Sequence, residues 1–483
     1  KYKNIDIELY KIPLDDKKVF EMLSQGDSTG VFQLESPGIR KIMKRLKPNK
    51  LEDIVALLAL YRPGPLQSGM VDDFINRKNG KEKIEYPHKN LEIILKETYG
   101  VILYQEQVMK IASYMANYSL GEADLLRRAM GKKNFAIMRE NREKFIQRAV
   151  ENNYTEEKAD EIFELIDKFA GYGFNKSHSV AYAMISYWTA YLKAHYPAFY
   201  FAAVMTSEIS ETGDVAYYFN DAKEHRISIY PPNVNTPSAY FEIKNDGISY
   251  SLAAIKNLGL NLAKKIVEDY EKHGAYTKLD EFVLRNKKNG INKRALEALI
   301  LSGALDELEG NRKEKFLSID KVLDFVSKAP KTDEIQQMNL FGAASKTINK
   351  FALTNSDDFN LDEKLTKEKE FLGFYLSSHP LDKYKDIITA FSINKLSEID
   401  VEESKVIKTF GTITGLKKVL TKKDEQMALF SILCYDRIIS CIAFPKTYEK
   451  FLEEIIEKKT VYLEGKIQID EYKGEKTIKL LVE

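Results

Sequence analysis

The residues best suited to chemistry lie in two short stretches. Phe169-Ala170-Gly171-Tyr172-Gly173-Phe174-Asn175-Lys176-Ser177-His178-Ser179 sets two glycines and three aromatics ahead of a polar run. The glycines allow a tight turn, and Asn175, Lys176, Ser177 and His178 then fall at the start of a predicted helix. Unpaired backbone N–H groups at such a start attract anions. Ser177 or Ser179 could equally be a plain helix cap, and His178 a satisfied core histidine. In Leu126-Arg127-Arg128-Ala129-Met130-Gly131-Lys132-Lys133, four cations flank a glycine. Guanidinium forks match phosphate oxygens better than a point charge does. From Glu122 to Arg148 there are eight Lys/Arg against four Asp/Glu, which by composition alone would read as a solvated helix face. The two stretches together point to a triphosphate pocket beside a clamp on a nucleic-acid backbone.

The elements that must position them read as helices over residues 1 to about 205. Leu51 to Leu60 is an apolar stretch stopped by a rigid Arg62-Pro63-Gly64-Pro65 turn. Leu91 to Met115 is helical around a Tyr99-Gly100 break, Thr155 to Phe169 is amphipathic and capped at Gly171, and Ser179 to Tyr196 forms an aromatic-rich helix. Short strands follow near Ser228–Tyr230, Tyr240–Ile243 and Ile248–Leu252, then two helix-turn-helix units at Ile255–Ala263 and Gly290–Ala295. From Ile407 the apolar period becomes two. Five strands, with a helix at Tyr448–Ile456 between the third and fourth, match an oligonucleotide-binding (OB) barrel. A chain of 483 residues, 44% hydrophobic, predicts three or four folded domains. Its net charge of +1 leaves the choice of partner to local clusters. Two cysteines, Cys434 and Cys441, supply neither a disulfide framework nor a four-ligand zinc site and suit a cytoplasmic protein. No apolar run of membrane-spanning length is present.

Three further segments carry a resemblance. Asp27-Ser28-Thr29-Gly30-Val31-Phe32-Gln33-Leu34-Glu35-Ser36, Tyr61-Arg62-Pro63-Gly64-Pro65-Leu66-Gln67-Ser68-Gly69-Met70 and Tyr99-Gly100-Val101-Ile102-Leu103-Tyr104-Gln105-Glu106-Gln107-Val108-Met109 resemble the fingers of the bacterial DNA polymerase III alpha subunit, a C-family replicative polymerase. The resemblance implies a multidomain, mainly α chain followed by a small β-barrel OB domain. Residues 1–205 would be fingers and 206–305 a tandem helix–hairpin–helix module on duplex DNA. Residues 306–400 would hold a clamp-binding motif, a linker and a bridging helix, and 401–483 the single-strand-binding OB domain.

On that resemblance, Arg127, Arg128, Lys176, Ser177 and His178 would bind the incoming deoxynucleoside triphosphate. Tyr104, Gln105, Glu106 and Gln107 stay open between scaffold and substrate contact. Arg62, Lys132 and Lys133 would reach DNA, as would Lys256 and Gly259 in the first hairpin and Lys293 in the second. Asn257 stands where the family often has a hairpin glycine, and asparagine tolerates the left-handed conformation needed there. Lys417, Lys418, Lys422 and Lys423, on the first barrel loop, would meet single-stranded template. Gln337-Met338-Asn339-Leu340-Phe341 fits the motif that docks a sliding clamp (beta subunit), with Gln337, Met338, Leu340 and Phe341 as contacts.

Template-directed nucleotide addition needs acidic side chains holding two divalent metals, Mg²⁺ in this family. The resemblance places those acids on a palm before Lys1. Asp15 and Asp16 read as a helix cap, so this chain by itself is expected to bind no metal and to be inactive. The implied partners are primer-template DNA, nucleotide, clamp and other replicase subunits, with no membrane. Two alternatives remain: a non-catalytic clamp- and DNA-binding adaptor, and an RNA-binding barrel protein with a helical partner domain.

Overall fold

The computed structural model describes residues 6–132, 135–169, 173–328, 351–390, 405–434, 438–472 and 475–483. The chain divides into two compact units, Lys1–Val204 and Met205–Glu483. The fold class is multidomain and mainly α, with a small closed barrel at the C-terminal end. Among the described residues, no helix is long and apolar enough to cross a membrane.

The first unit is helical: α1 (Lys17–Ser24), α2 (Pro37–Leu46), α3 (Leu51–Leu60), α4 (Pro63–Gln67), α5 (Met70–Lys78), α6 (Glu92–Leu95), α7 (Gln105–Ala116), α8 (Leu120–Lys132), α9 (Phe135–Glu151), α10 (Glu156–Phe169) and α11 (Lys176–His195). Asp16 is the N-cap of α1, its carboxylate accepting from Val19 N–H. The Arg62–Pro65 stretch does more than stop α3. Pro63 takes the first position of α4, where a missing N–H costs nothing. Helix α11 begins three residues before the expected start at Ser179, because the Asn175 side chain caps it by accepting from His178 N–H. Gly171, expected to cap α10, lies outside the described residues.

Two apolar cores organise this unit. One gathers α1, α2, α3, α5 and α11; the other gathers α6 to α10. The extended segment before α7 joins them. Val101 and Leu103 pack into the first core and Ile102 into the second, because successive extended residues face opposite sides; Tyr104, the N-cap of α7, breaks this alternation and also packs into the first core. Tyr99 and Gly100, both at positive φ (53° and 85°), turn the chain into that segment.

In the second unit, β1 (Ile229–Tyr230) pairs parallel to β3 (Gly247–Ser249), which pairs antiparallel to β2 (Glu242–Lys244). Helices Leu260–His273 and Lys293–Leu301 follow the two expected hairpins. The barrel strands are β4 (Val406–Leu420), β5 (Gln426–Leu433), β6 (Ile438–Ala443), β7 (Thr460–Tyr472) and β8 (Glu475–Val482). They close in the order β4-β5-β6-β8-β7, with β6 and β8 parallel. The helix between β6 and β7 covers Pro445–Lys450, three residues before its expected start, because Pro445 again suits the first helical position. Cys434 and Cys441 are free thiols buried in the barrel core.

At Gly100 the turn tolerates no side chain. A Cβ on Gly100 would lie 2.2 Å from the Glu85 carbonyl oxygen, in a backbone conformation already unfavourable for other residues. Gly100→Ala should therefore destabilise the first unit by about 2 kcal/mol or more. Urea unfolding followed through Trp188, the single tryptophan, reads this unit directly; an unchanged midpoint would contradict the assignment.

Candidate nucleotide and nucleic-acid interface

The two cationic stretches of the first unit meet at the N-terminus of α7. The segment after Gly173 runs beside the one before α7: Phe174 N–H donates to Leu103 O (3.4 Å) and Gln105 N–H to Phe174 O (2.9 Å), with Tyr104 and Phe174 bridged in parallel. Gly173 is required by crowding, since a Cβ there would approach the Phe169 ring to 2.6 Å. The Gln105 side chain spans the junction. Its amide nitrogen donates to Gly173 O (3.1 Å), and its oxygen accepts from Arg127 on α8 (3.4 Å).

Arg127 and Arg128 share one carboxylate. Both donate to Asp124, at 2.9 and 2.7 Å through Nε, and the Arg127 hydrogen bond foremost holds that carboxyl below its usual range. The spacing is i,i+3 and i,i+4, so one turn of helix brings the three together. Arg128 is mostly exposed and Arg127 about one-third exposed. Lys132 ends α8, its side chain outside the described residues, as is Lys133 altogether.

At the start of α11, Glu106 does the positioning. It accepts from Asn175 Nδ2 (2.8 Å) and from Lys176 N–H (3.1 and 3.2 Å). The Lys176 ammonium pairs with Glu97 and lies 5.4 Å from the Tyr104 ring. Ser177 and His178 are exposed, so His178 is not the buried core histidine that its position also allowed. Its ring lies 4.2 Å from Tyr182 and 5.5 Å from Phe174. Arg62 stacks over the same Phe174 ring at 4.3 Å and donates to Ala59 O; burial lowers its pKa without discharging a guanidinium. Contacts thus tie Arg127 to Gln105, Lys176 to Glu106, and Arg62 and His178 to Phe174; Arg128 joins Arg127 on Asp124, and Ser177 lies between Lys176 and His178 on the first turn of α11. Phe174, Gln105 and Glu106 form the joint between them. Of the α7 residues left open by sequence, Tyr104 is buried, and Gln107 is spent on Leu103 N–H, Tyr104 N–H and Thr98. Both are scaffold.

In the second unit Asn257 and Gly259 both take φ of 72°, so asparagine does adopt the left-handed turn. Gly259 caps helix Leu260–His273 without a side chain. Lys256 is exposed, its N–H bound to Phe371 O. The second hairpin differs, because Asn292 caps its helix and Lys293 is paired with Asp320 at 2.7 Å, both largely exposed. In the barrel, Lys417 and Lys418 lie on β4 itself, not on the loop expected from sequence; the strand runs to Leu420. Lys422 and Lys423 do occupy the β4–β5 turn and are exposed. Phe430 is core and Phe444 exposed, while Tyr435 and Asp436 lie outside the described residues. So do Gln337, Met338, Leu340 and Phe341.

Residues 1–153 match the family model of the bacterial DNA polymerase III alpha subunit finger domain, and residues 226–315 that of a helix-hairpin-helix motif. Over 469 residues, 96% of the chain, it is 44% identical to DNA polymerase III subunit alpha of Aquifex aeolicus. The chain corresponds to part of a DNA polymerase III alpha subunit. The same protein from Borreliella burgdorferi is 40% identical over 469 residues, and that from Escherichia coli K12 is 38% identical over 478. The chain covers 39% of the Aquifex protein and 41% of each of the other two, so it spans about two fifths of the length of these relatives. The finger-domain match covers the Arg127–Arg128 stretch and the α7 residues that orient it.

Sequence reading missed Asp124, Glu97 and Glu106 as partners of the cations. The first had a signal in its helical spacing. The other two lie 79 and 70 residues from Lys176, where no local pattern exists. Glu106→Ala should release the first turn of α11, and the Lys176 amide should then exchange with solvent at least about tenfold faster, as expected for losing hydrogen bonds to a charged acceptor. Hydrogen–deuterium exchange resolved to that segment checks this; unchanged exchange would remove Glu106 from its role.

Proposed function

We propose that this chain is the part of a replicative DNA-directed DNA polymerase that binds incoming deoxynucleoside triphosphate, primer-template DNA and the sliding clamp. The carrying observation is that Arg127, through Gln105, and Lys176, through Glu106, are both held at the joint between α7 and α11, where His178 lies against Phe174. Guanidinium forks and a lysine around an exposed helix start suit a triphosphate. Their carboxylate partners are about one-third exposed, and such pairs exchange readily for a more highly charged anion. In this reading His178 is a polar contact beside Tyr182. The hairpins at Lys256–Gly259 and Lys293 hold duplex phosphates without reading bases, and Lys417, Lys418, Lys422 and Lys423 meet single-stranded template.

The reaction calls for Mg²⁺, and Asp16 does not fit it. One oxygen of Asp16 accepts from Val19 N–H and the other lies 3.0 Å from His195 Nε2, so that carboxylate is committed to the α1 cap. In this reading residues other than Asp16 hold the metal in the whole enzyme, and this chain alone binds substrates without joining them. With labelled deoxynucleoside triphosphate, Arg127→Ala should weaken binding about tenfold or more, and the unaltered chain with Mg²⁺ and primed template should give no extension. Absence of triphosphate binding would favour the adaptor reading, and extension would overturn the substrate-binding-only assignment.

The clamp contact rests on Gln337-Met338-Asn339-Leu340-Phe341, in which two adjacent apolar anchors can fill a pocket. Deleting Leu340 and Phe341 should abolish association with the clamp, measured by surface plasmon resonance, and leave DNA affinity nearly intact. Retained clamp affinity would dismiss the motif.

A further inference from the structure

We infer that a cleft in the first unit, between the ends of α7 and α9 and the start of α10, binds one nucleotide unit of single-stranded nucleic acid. Its phosphate would lie against Lys89 and Lys158, and its base against Tyr154 and neighbouring amides. The cleft measures about 750 Å³, within the range of small-molecule sites and ample for a nucleotide. Its lining contains two lysines, four asparagines and three aromatic rings, and no carboxylate. None of its residues belongs to the joint at α7 and α11.

Part of this lining is built as a rigid frame. Asn90 donates through its side chain to the Tyr154 hydroxyl (3.2 Å) and through its backbone to His88 Nδ1 (3.2 Å). His88 meets Tyr154 edge to face at 5.1 Å. Burial first, then the charges of Lys89 and Lys158, keep the His88 pKa below its ordinary value, so both cations act on one wall while the ring stays neutral. With Nδ1 accepting, the neutral ring carries its proton on Nε2 and remains a donor. Asn152 is also committed, its amide nitrogen donating to Tyr114 O (3.2 Å) and Met115 O (3.0 Å), whereas other lining amides are not. Asn117 and Asn153 stand at helix ends in the left-handed conformation (φ 52° and 64°), and among the described residues their side-chain amides have no hydrogen-bond partner. Lys89 has no carboxylate partner there either, and Lys158 has only the exposed Glu161, one turn along its own helix.

Cations with no carboxylate in the lining, amides able to match base edges and aromatic rings able to stack are the elements of single-strand recognition. Apolar anchors, which a peptide ligand would need, are missing from the lining. The inference rests on the reading that the chain handles nucleic acid and adds a contact apart from the triphosphate pocket.

The test is fluorescence anisotropy of the full chain with a labelled oligodeoxynucleotide of about a dozen residues, across several salt concentrations. Lys89→Ala with Lys158→Ala should lower affinity about tenfold and flatten the salt slope by about 0.7, the value for one phosphate no longer neutralised on a single strand. Asn153→Ala should weaken binding with the slope unchanged, and triphosphate binding should be unaltered in both variants. An unchanged affinity and slope in the lysine double variant would overturn the cleft assignment while leaving the polymerase reading intact. Failure of the unaltered chain to bind oligonucleotide or triphosphate would overturn both. Displacement of the oligonucleotide by inorganic phosphate at equal concentration, or by a phosphopeptide, would overturn the nucleotide assignment.

Discussion

The cationic face of the first unit depends on how one 20-residue helix, α11, is seated. Polar side chains along its inner side are bonded inside the unit. Ser179 donates to Val55 O at 2.6 Å and Ser186 to Phe32 O at 2.8 Å. The Tyr187 hydroxyl donates to Pro13 O and accepts from Asp16 N–H. Lys193, fully buried, meets Asp27 at 2.6 Å. A buried cation stripped of its partner costs about 3–5 kcal/mol, and a buried unsatisfied hydroxyl about 1–3 kcal/mol. Rotation of the helix about its axis would break several of these bonds together. The outer face therefore presents His178, Tyr182 and Ile185 to solvent, and Glu106 fixes where the first turn begins.

The electrostatics of this face explain how a chain of net charge +1 can be suited to polyanions. Its cations are held in place by carboxylates: Arg127 and Arg128 by Asp124, Lys176 by Glu97. In water such partly exposed pairs are weak, but they restrict long side chains that would otherwise lose conformational freedom on binding. In the proposed function a triphosphate replaces the carboxylates and finds the guanidiniums already gathered. The cleft at Lys89 and Lys158 works differently, its lining having no acid of its own.

The second unit offers cations by other structural means. At the first hairpin, a backbone held at positive φ by Asn257 and Gly259 starts a helix with no side-chain cap. In the barrel, a bulge between Thr414 and Lys417 breaks the register of β4 with β5. Before it, buried Ile407, Thr409, Gly411 and Ile413 alternate with more exposed residues. Beyond it the ribbon leaves the core, so Lys417 and Lys418 are both exposed although adjacent.

Features governed by local rules were legible in the sequence. The helical period of Glu156–Phe169, the strand period of the barrel, the Asp16 cap, the hairpin left-handed asparagine and the Tyr99-Gly100 break all follow from backbone geometry within a few residues. So did the chemistry of the two cationic stretches, since arginine pairs and a polar helix start keep their character in any fold. Where local rules were applied too simply, boundaries moved: proline at Pro63 and Pro445 opened helices, and β4 extended through Lys418. What only the tertiary structure decided was company. Gln105 reaching both Arg127 and Gly173, Glu106 and Glu97 holding Lys176, and His88, Lys89 and Lys158 meeting around Tyr154 all join residues separated by long stretches of chain. Such contacts leave no periodic trace, because they arise when separately folded helices pack and not when each one forms.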